Sequence, residues 1–280
     1  MRRDGGLGEA SLPFRAAVAF LLGAIASDAF AAAADWPSYL GDEGRSHYSP
    51  LAQINVENVH ALTPAWTFRA GQVGANPRSE MQCNPLVVDG VLFATLPGAT
   101  LIALDAATGR ERWRFDPVAD AAARGDRRPR GEFTTNRNRG MTYWRDAAQR
   151  AEPRLLHSAG HFLFALDPRT GKPLAEFGDG GRVDFNQGLG RDPTRMALHS
   201  ATTPGAIFEN LYFLSIRTNE GPGPSAPGYV RAFDVRTGKV MWTFHTIPQP
   251  GEFGDDTWPA NAWKFAGQVS SPNSPGCGIV

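Results

Sequence analysis

The chain has little cysteine, no excess charge and no apolar run long enough to cross a bilayer. Its two cysteines, Cys83 and Cys277, allow at most one bridge, which excludes a disulfide-built scaffold. They could pair in an oxidising compartment, but an unpaired Cys83 within a strand is the favoured reading. No Cys-x-x-Cys-His is present, so this chain carries no c-type haem site. Lys+Arg and Asp+Glu number 28 each. That balance leaves no electrostatic footprint for nucleic acid, and the basic run Arg124–Arg130 reads as a solvated loop. The apolar run Ala16–Ala26 has eleven residues, too few to span a membrane. It follows Arg2, Arg3 and Arg15 and precedes small-residue cleavage sites at Ala29-Phe30-Ala31 or Ala32-Ala33-Ala34. Residues 1–34 are therefore expected to be a signal peptide, with export to a bacterial periplasm and no transmembrane anchor after cleavage. Arg2-Arg3 lies too far from the apolar core for a strong twin-arginine signal. Helical periodicity is scarce, and Leu51–Leu62 is the best candidate.

What the chain has in quantity is turn chemistry, with 31 Gly and 22 Pro. It also repeats itself. Leu101–Phe115, Leu163–Phe177 and Val230–Phe244 each contain Ala-[Leu/Phe]-Asp-x-x-Thr-Gly followed by a short run ending in Phe. Each copy reads as strand, turn, strand, with Asp105, Asp167 and Asp234 opening the turns and Gly109, Gly171 and Gly238 closing them. Trp113 and Trp242 occupy the same position in the first and third copies and read as blade-packing residues. The second copy has Ala175 there, so one unit is degenerate. The aspartates recur at intervals of 62 and 67 residues. Those intervals exceed a minimal four-stranded blade of about 40–50 residues and predict loop insertions. The simplest class that fits is an all-β propeller, with solenoid stacking as the weaker alternative. Trp66-Thr67-Phe68 has no turn motif before it and reads as the last strand of an earlier, incomplete blade. The expected organisation is a signal peptide (1–34), a partial propeller (35–267) of about four blades, and a divergent tail (268–280).

The repeat resembles that of the pyrroloquinoline quinone (PQQ)-dependent dehydrogenases, eight-bladed quinoproteins that oxidise sugars and alcohols. The likeness extends to Asp35–Asn55, Gln82–Phe93, Asn138–Trp144 and Phe244–Gly254, in one order across Asp35–Gly267. The nearest branch is the glucose dehydrogenase-like group. The resemblance implies PQQ and Ca²⁺ as cofactors, a sugar or alcohol substrate, and a quinone or cytochrome c acceptor. PQQ is a flat tricarboxylate and needs cationic and hydrogen-bonding partners, while Ca²⁺ takes carboxylate and amide oxygens. Matched residue by residue, Arg139 corresponds to the arginine that contacts a PQQ carboxylate. Gln82, with Glu80 as a second candidate, stands at the cofactor edge. Thr202 or Thr203 lends a hydroxyl. Glu220 falls at the calcium-binding acid, with Asn219 able to add an amide oxygen. His199 and His245 lack metal spacing and read as structural.

Two departures qualify the likeness. Phe133–Asn138 has no vicinal cysteine pair, which favours the sugar-type branch over the methanol/ethanol type. Beyond Gly267 the text no longer follows the family, whose catalytic aspartate and remaining blades are expected past residue 280. A frameshift or premature stop is the preferred explanation, and such a chain is expected to be inactive by itself. The competing class is a non-catalytic propeller scaffold of the outer-membrane assembly type, and a nonfunctional remnant is the third reading.

Overall fold

The computed structural model describes residues 35–71, 81–126, 138–192, 201–216, 218 and 225–267. The expected signal peptide, the tail, Glu80, His199, Asn219, Glu220 and Cys277 lie outside the described residues. Those that are described form three four-stranded antiparallel sheets, each with its strands in chain order. The first holds β1 (Leu86–Val88), β2 (Val91–Thr95), β3 (Leu101–Asp105) and β4 (Glu111–Phe115). The second holds β5 (Thr142–Trp144), β6 (Arg154–Ala159), β7 (Phe162–Leu166) and β8 (Arg182–Asp184). The third holds β9 (Ala206–Phe208), β10 (Leu211–Ser215), β11 (Val230–Asp234) and β12 (Val240–Phe244). These are the blades of a β-propeller, three complete ones among the described residues.

The repeat motif builds the turn between the third and fourth strands. Asp105 Oδ1 accepts from the Thr108 amide and hydroxyl at 3.1 and 2.9 Å, and Asp234 holds Thr237 the same way at 2.8 and 2.9 Å. The hydrogen bonds from Arg112 and Thr108 lower the Asp105 carboxyl to about 2. The same bulge follows Ala103 in β3 and Ala232 in β11, so the two copies agree in backbone detail.

The motif's glycine is where one sheet meets the next. Gly171 has φ +69°, and a Cβ there would lie 2.4 Å from Cε3 of Trp113. The indole of one blade thus lies flat on the next blade's turn, and only a residue without a side chain fits. Its Nε1 donates to the Pro168 carbonyl at 2.8 Å. Trp66 repeats this on Gly109, donating to the Ala106 carbonyl at 3.1 Å. Trp66–Phe68 therefore sits where a preceding outer strand would, although it forms no strand. Where Ala175 replaces tryptophan, Phe177 and Val183 cover Gly238 instead.

That degenerate unit also breaks its outer strand. Pro173 pairs with Leu166 through an isolated bridge, the chain turns away, and β8 resumes the ladder against Phe162–Phe164. Proline has no amide to donate, so the strand expected at Lys172–Phe177 is interrupted. One further expectation is corrected. Leu51–Leu62 contains one 3-10 turn, Val59–Ala61, and none of its residues is buried, so an apolar periodicity without a surface to pack on gives no helix. The α-helix among the described residues is α1 (Pro117–Ala123), capped by Asp116, which accepts from the Val118 amide. Arg124 is exposed, as expected of the basic run, and it also bonds Asp120 at 2.7 Å and the Asp179 and Gly180 carbonyls, fastening α1 to the second sheet; Arg127–Arg130 lie outside the described residues.

The core lies between sheets. Phe93, Leu101 and Phe115 of the first pack with Leu155, Phe162 and Phe164 of the second. Leu156, Leu163 and Phe177 of the second pack with Tyr212, Leu214 and Phe233 of the third. Each fully buried side chain of this size contributes about 1.5–3 kcal/mol. Buried arginines bridge the seams. Arg154 donates to the Val235 and Arg236 carbonyls, and Arg182 makes a fork with Asp126 at 2.5 and 2.9 Å while stacking on Phe162.

Candidate cofactor-binding site

The three segments that lead into the first strand of each sheet converge. They are Gln82–Asn84, Asn138–Gly140 and Ala201–Thr203, and each ends two residues or so before its strand. The Asn84 amide donates to the Arg139 carbonyl at 2.9 Å, and the Arg139 amide donates to the Thr202 carbonyl at 2.8 Å. One short chain of backbone bonds therefore stitches three blades together at one end of their first strands.

Side chains reinforce the junction. Arg139 Nη1 reaches Thr202 Oγ1 at 3.5 Å. Asn138 is buried, with Nδ2 donating to the Ser158 carbonyl at 2.8 Å and Oδ1 accepting from the Gly140 amide at 2.7 Å. This fixes the tight turn that presents Arg139. Gly140 has φ +137°, and a Cβ there would meet the Asn84 carbonyl at 3.0 Å, so the close approach of the first blade favours glycine at this position. Thr95 Oγ1 donates to the Asn138 carbonyl at 3.3 Å, and its amide bonds Cys83 Sγ at 3.1 Å.

The structure thus brings Arg139 and Thr202 together and sets Gln82 two residues from the Asn84 contact. Thr203 follows Thr202 and is half-buried. Asn138, Asn84 and Thr95 were missed as positioning residues. Asn138 carried a signal in the Asn-Arg-Gly turn, whereas Thr95 is distant in sequence and carried none. Cys83 is unbridged and lies just before β1 rather than in a strand. Burial pushes its thiol upward, so it is not poised as a nucleophile. His245 pairs with Glu252 at 2.7 Å and packs on Tyr229, which agrees with a structural role.

A guanidinium, two hydroxyls and an amide around one junction suit a polycarboxylate, because a planar fork and neutral donors can share its oxygens. For a metal the case differs. Among the described residues there is no group of three or more His, Cys, Asp and Glu side chains that could hold an ion. Two concavities lie elsewhere. One of about 460 Å³ runs along β5 and β9 beside residues 38–45, and one of about 280 Å³ lies between the first two sheets. Neither is lined by Gln82, Arg139, Thr202 or Thr203. The hydrogen-bonded junction is the better guide to the site, because its backbone bonds bring the segments carrying Arg139 and Thr202 together and place Gln82 two residues from the Asn84 contact.

The chain is similar to known proteins over most of its length. The chain is 29% identical over 260 residues to the quinoprotein glucose dehydrogenase of Escherichia coli (strain K12), covering 86% of this chain and 30% of that protein. It is 34% identical over 256 residues to the dehydrogenase subunit of the quinone alcohol dehydrogenase of Gluconobacter oxydans (strain 621H), covering 83% and 29%. The quinohemoprotein alcohol dehydrogenase ADHIIG of Pseudomonas putida HK5 superposes with a TM-score of 0.58 at 25% identity, over 82% of this chain and 30% of that one. The chain spans about 30% of the length of these relatives. Residues 36–274 match the family described as "PQQ: Glucose/ethanol/alcohol dehydrogenase, beta-propeller domain", and the chain belongs to that family of PQQ-dependent β-propeller dehydrogenases.

Proposed function

We propose that this chain is part of a periplasmic PQQ- and Ca²⁺-dependent dehydrogenase that oxidises a sugar, with glucose first, or an alcohol. Electrons pass to a quinone or a cytochrome acceptor. The observation that carries this reading is the Asn84–Arg139–Thr202 junction, which gathers the cofactor candidates of three blades. The chemistry PQQ supplies is two-electron oxidation of an alcohol carbon, assisted by a cation at the reactive carbonyl. In this chain Arg139 would hold a cofactor carboxylate, Thr202 or Thr203 would donate a hydroxyl hydrogen bond, and the Gln82 amide would orient the cofactor edge. Asn219 and Glu220 are proposed for Ca²⁺.

The test is titration of the chain with PQQ, with and without Ca²⁺, followed by quenching of tryptophan fluorescence. Saturable, Ca²⁺-enhanced quenching is expected. Arg139→Leu should weaken it by about tenfold or more, the value of one charge-assisted contact. Equal affinity in the variant would overturn the Arg139 assignment.

A further inference from the structure

We propose that the wedge between the first and second sheets binds a flat aromatic ligand carrying an N–H donor, of the indole class. The argument comes from comparing two seams of the same molecule. Val88 and Trp144 end the first strands of their blades, and each pairs with the opening residue of the second strand, Val91 and Arg154 respectively. At the seam between the second and third sheets, these residues fill the wedge. Trp144 Nε1 donates to the Glu209 carbonyl at 3.0 Å. Arg154 stacks on that indole, 5.4 Å from its centroid, and donates to the Val235 and Arg236 carbonyls at 3.1 and 2.8 Å.

At the seam between the first and second sheets, valines stand at both positions. They stop short, and a cavity of about 280 Å³ remains. Its floor is Val88, Val91, Phe93 and Trp113, apolar or aromatic throughout. Its far wall belongs to the second blade and includes Arg145, Pro168 and Arg169, the positions equivalent to Glu209, Val235 and Arg236. The Pro168 carbonyl already accepts from Trp113. By position in the repeat, the backbone at Arg145 and Arg169 corresponds to the Glu209 and Arg236 carbonyls that receive Trp144 and Arg154 at the other seam.

The mouth is charged but compensated. Arg145 pairs with Asp89, Arg169 with Glu152 at 3.2 Å, and Arg112 with Asp105 at 2.7 Å. A neutral ligand is therefore preferred to an ionic one. The apolar floor takes the ring, and a ring N–H meets the carbonyl wall as Trp144 does in the other seam. One wedge is closed by the chain's own indole, and the other is left open for an indole from outside.

Indole itself is the probe, titrated into the full chain by calorimetry and by ligand-observed saturation-transfer NMR. Saturable binding to one site is expected. Val88→Trp installs in this seam the residue that closes the other, and should weaken binding by about tenfold or more. Phe208→Ala, at the equivalent and exposed position of the third blade, should bind like the parent. Non-saturable binding, or equal binding by Val88→Trp, would overturn the proposal. Should Val88→Trp fail to fold, intermolecular NOEs decide. Contacts from indole to the Val88 and Val91 methyls support the site, and their absence at saturating indole overturns it.

Discussion

Trp113→Ala is expected to destabilise the chain by about 3 kcal/mol, a typical loss for deleting a packed tryptophan, whereas Trp242→Ala should change stability by less than about 1 kcal/mol. The two residues occupy the same place in the repeat, so sequence offers no reason for a difference. Structure does. Trp113 packs against the core shared by the first two sheets, lies on Gly171 and donates to the Pro168 carbonyl. Removing it leaves a void in the seam and a carbonyl without its donor. Trp242 is 43% exposed, and its neighbours Met241 and Phe244 are 53% and 60% exposed. Urea unfolding of both variants against the parent checks this. Equal midpoints shifts for the two would show that blade-to-turn docking is not what holds these sheets together.

Acidification from about pH 6.5 to pH 4 is expected to cost about 3 kcal/mol at a single group, His157. This imidazole is fully buried on β6, and its Nε2 bonds the Ala99 carbonyl of the first sheet at 2.7 Å. Because the partner is a carbonyl, Nε2 carries the proton of the neutral ring and donates it. Burial lowers the group from 6.5 to about 4, partly opposed by that hydrogen bond. Between those values the unfolded chain holds a proton that the folded chain refuses. Stability therefore rises with pH through this window and falls as pH drops, levelling off below about 4. Asp105 acts in a separate, lower window. Its folded value of about 2 means its contribution is present above the unfolded value of 3.8 and is lost as pH falls from there toward 2. His157→Gln keeps a donor for Ala99 and does not titrate. Its unfolding midpoint should lose much of the dependence between pH 6.5 and 4.5 that the parent shows, and an unchanged slope would remove His157 as the cause.

The site was legible where it followed a turn or a motif. Asn138-Arg139-Gly140 was picked out by resemblance to the family's motif, and the structure supplies its reason: the backbone of Asn84 comes close to Gly140, and Asn138 closes the turn. Thr202 was placed by resemblance to the segment, and the structure then set its carbonyl and hydroxyl on Arg139. Thr95 and Asn84 were not legible, because they act only across blades. The helix expected at Leu51–Leu62 failed for a related reason. Apolar spacing predicts a helix only when a surface exists to bury it, and here the segment lies exposed.

By itself, the sequence determined the repeating unit. Asp, Thr and Gly at fixed offsets close a turn whose hydrogen bonds are local, so Asp105 and Asp234 fold alike wherever they sit. It also placed a tryptophan at the same position of two units, Trp113 and Trp242, without deciding whether either meets a neighbour. Only the tertiary structure decided what each unit does with its neighbour. Trp113 is docked and Trp242 is exposed, Phe177 and Val183 replace a missing indole, and Arg154 with Trp144 closes one wedge while Val88 with Val91 leaves the other open. Turn formation depends on contacts a few residues apart. The seams and the Arg139 junction depend on contacts more than 50 residues apart, whose partners are named by packing and not by any local pattern.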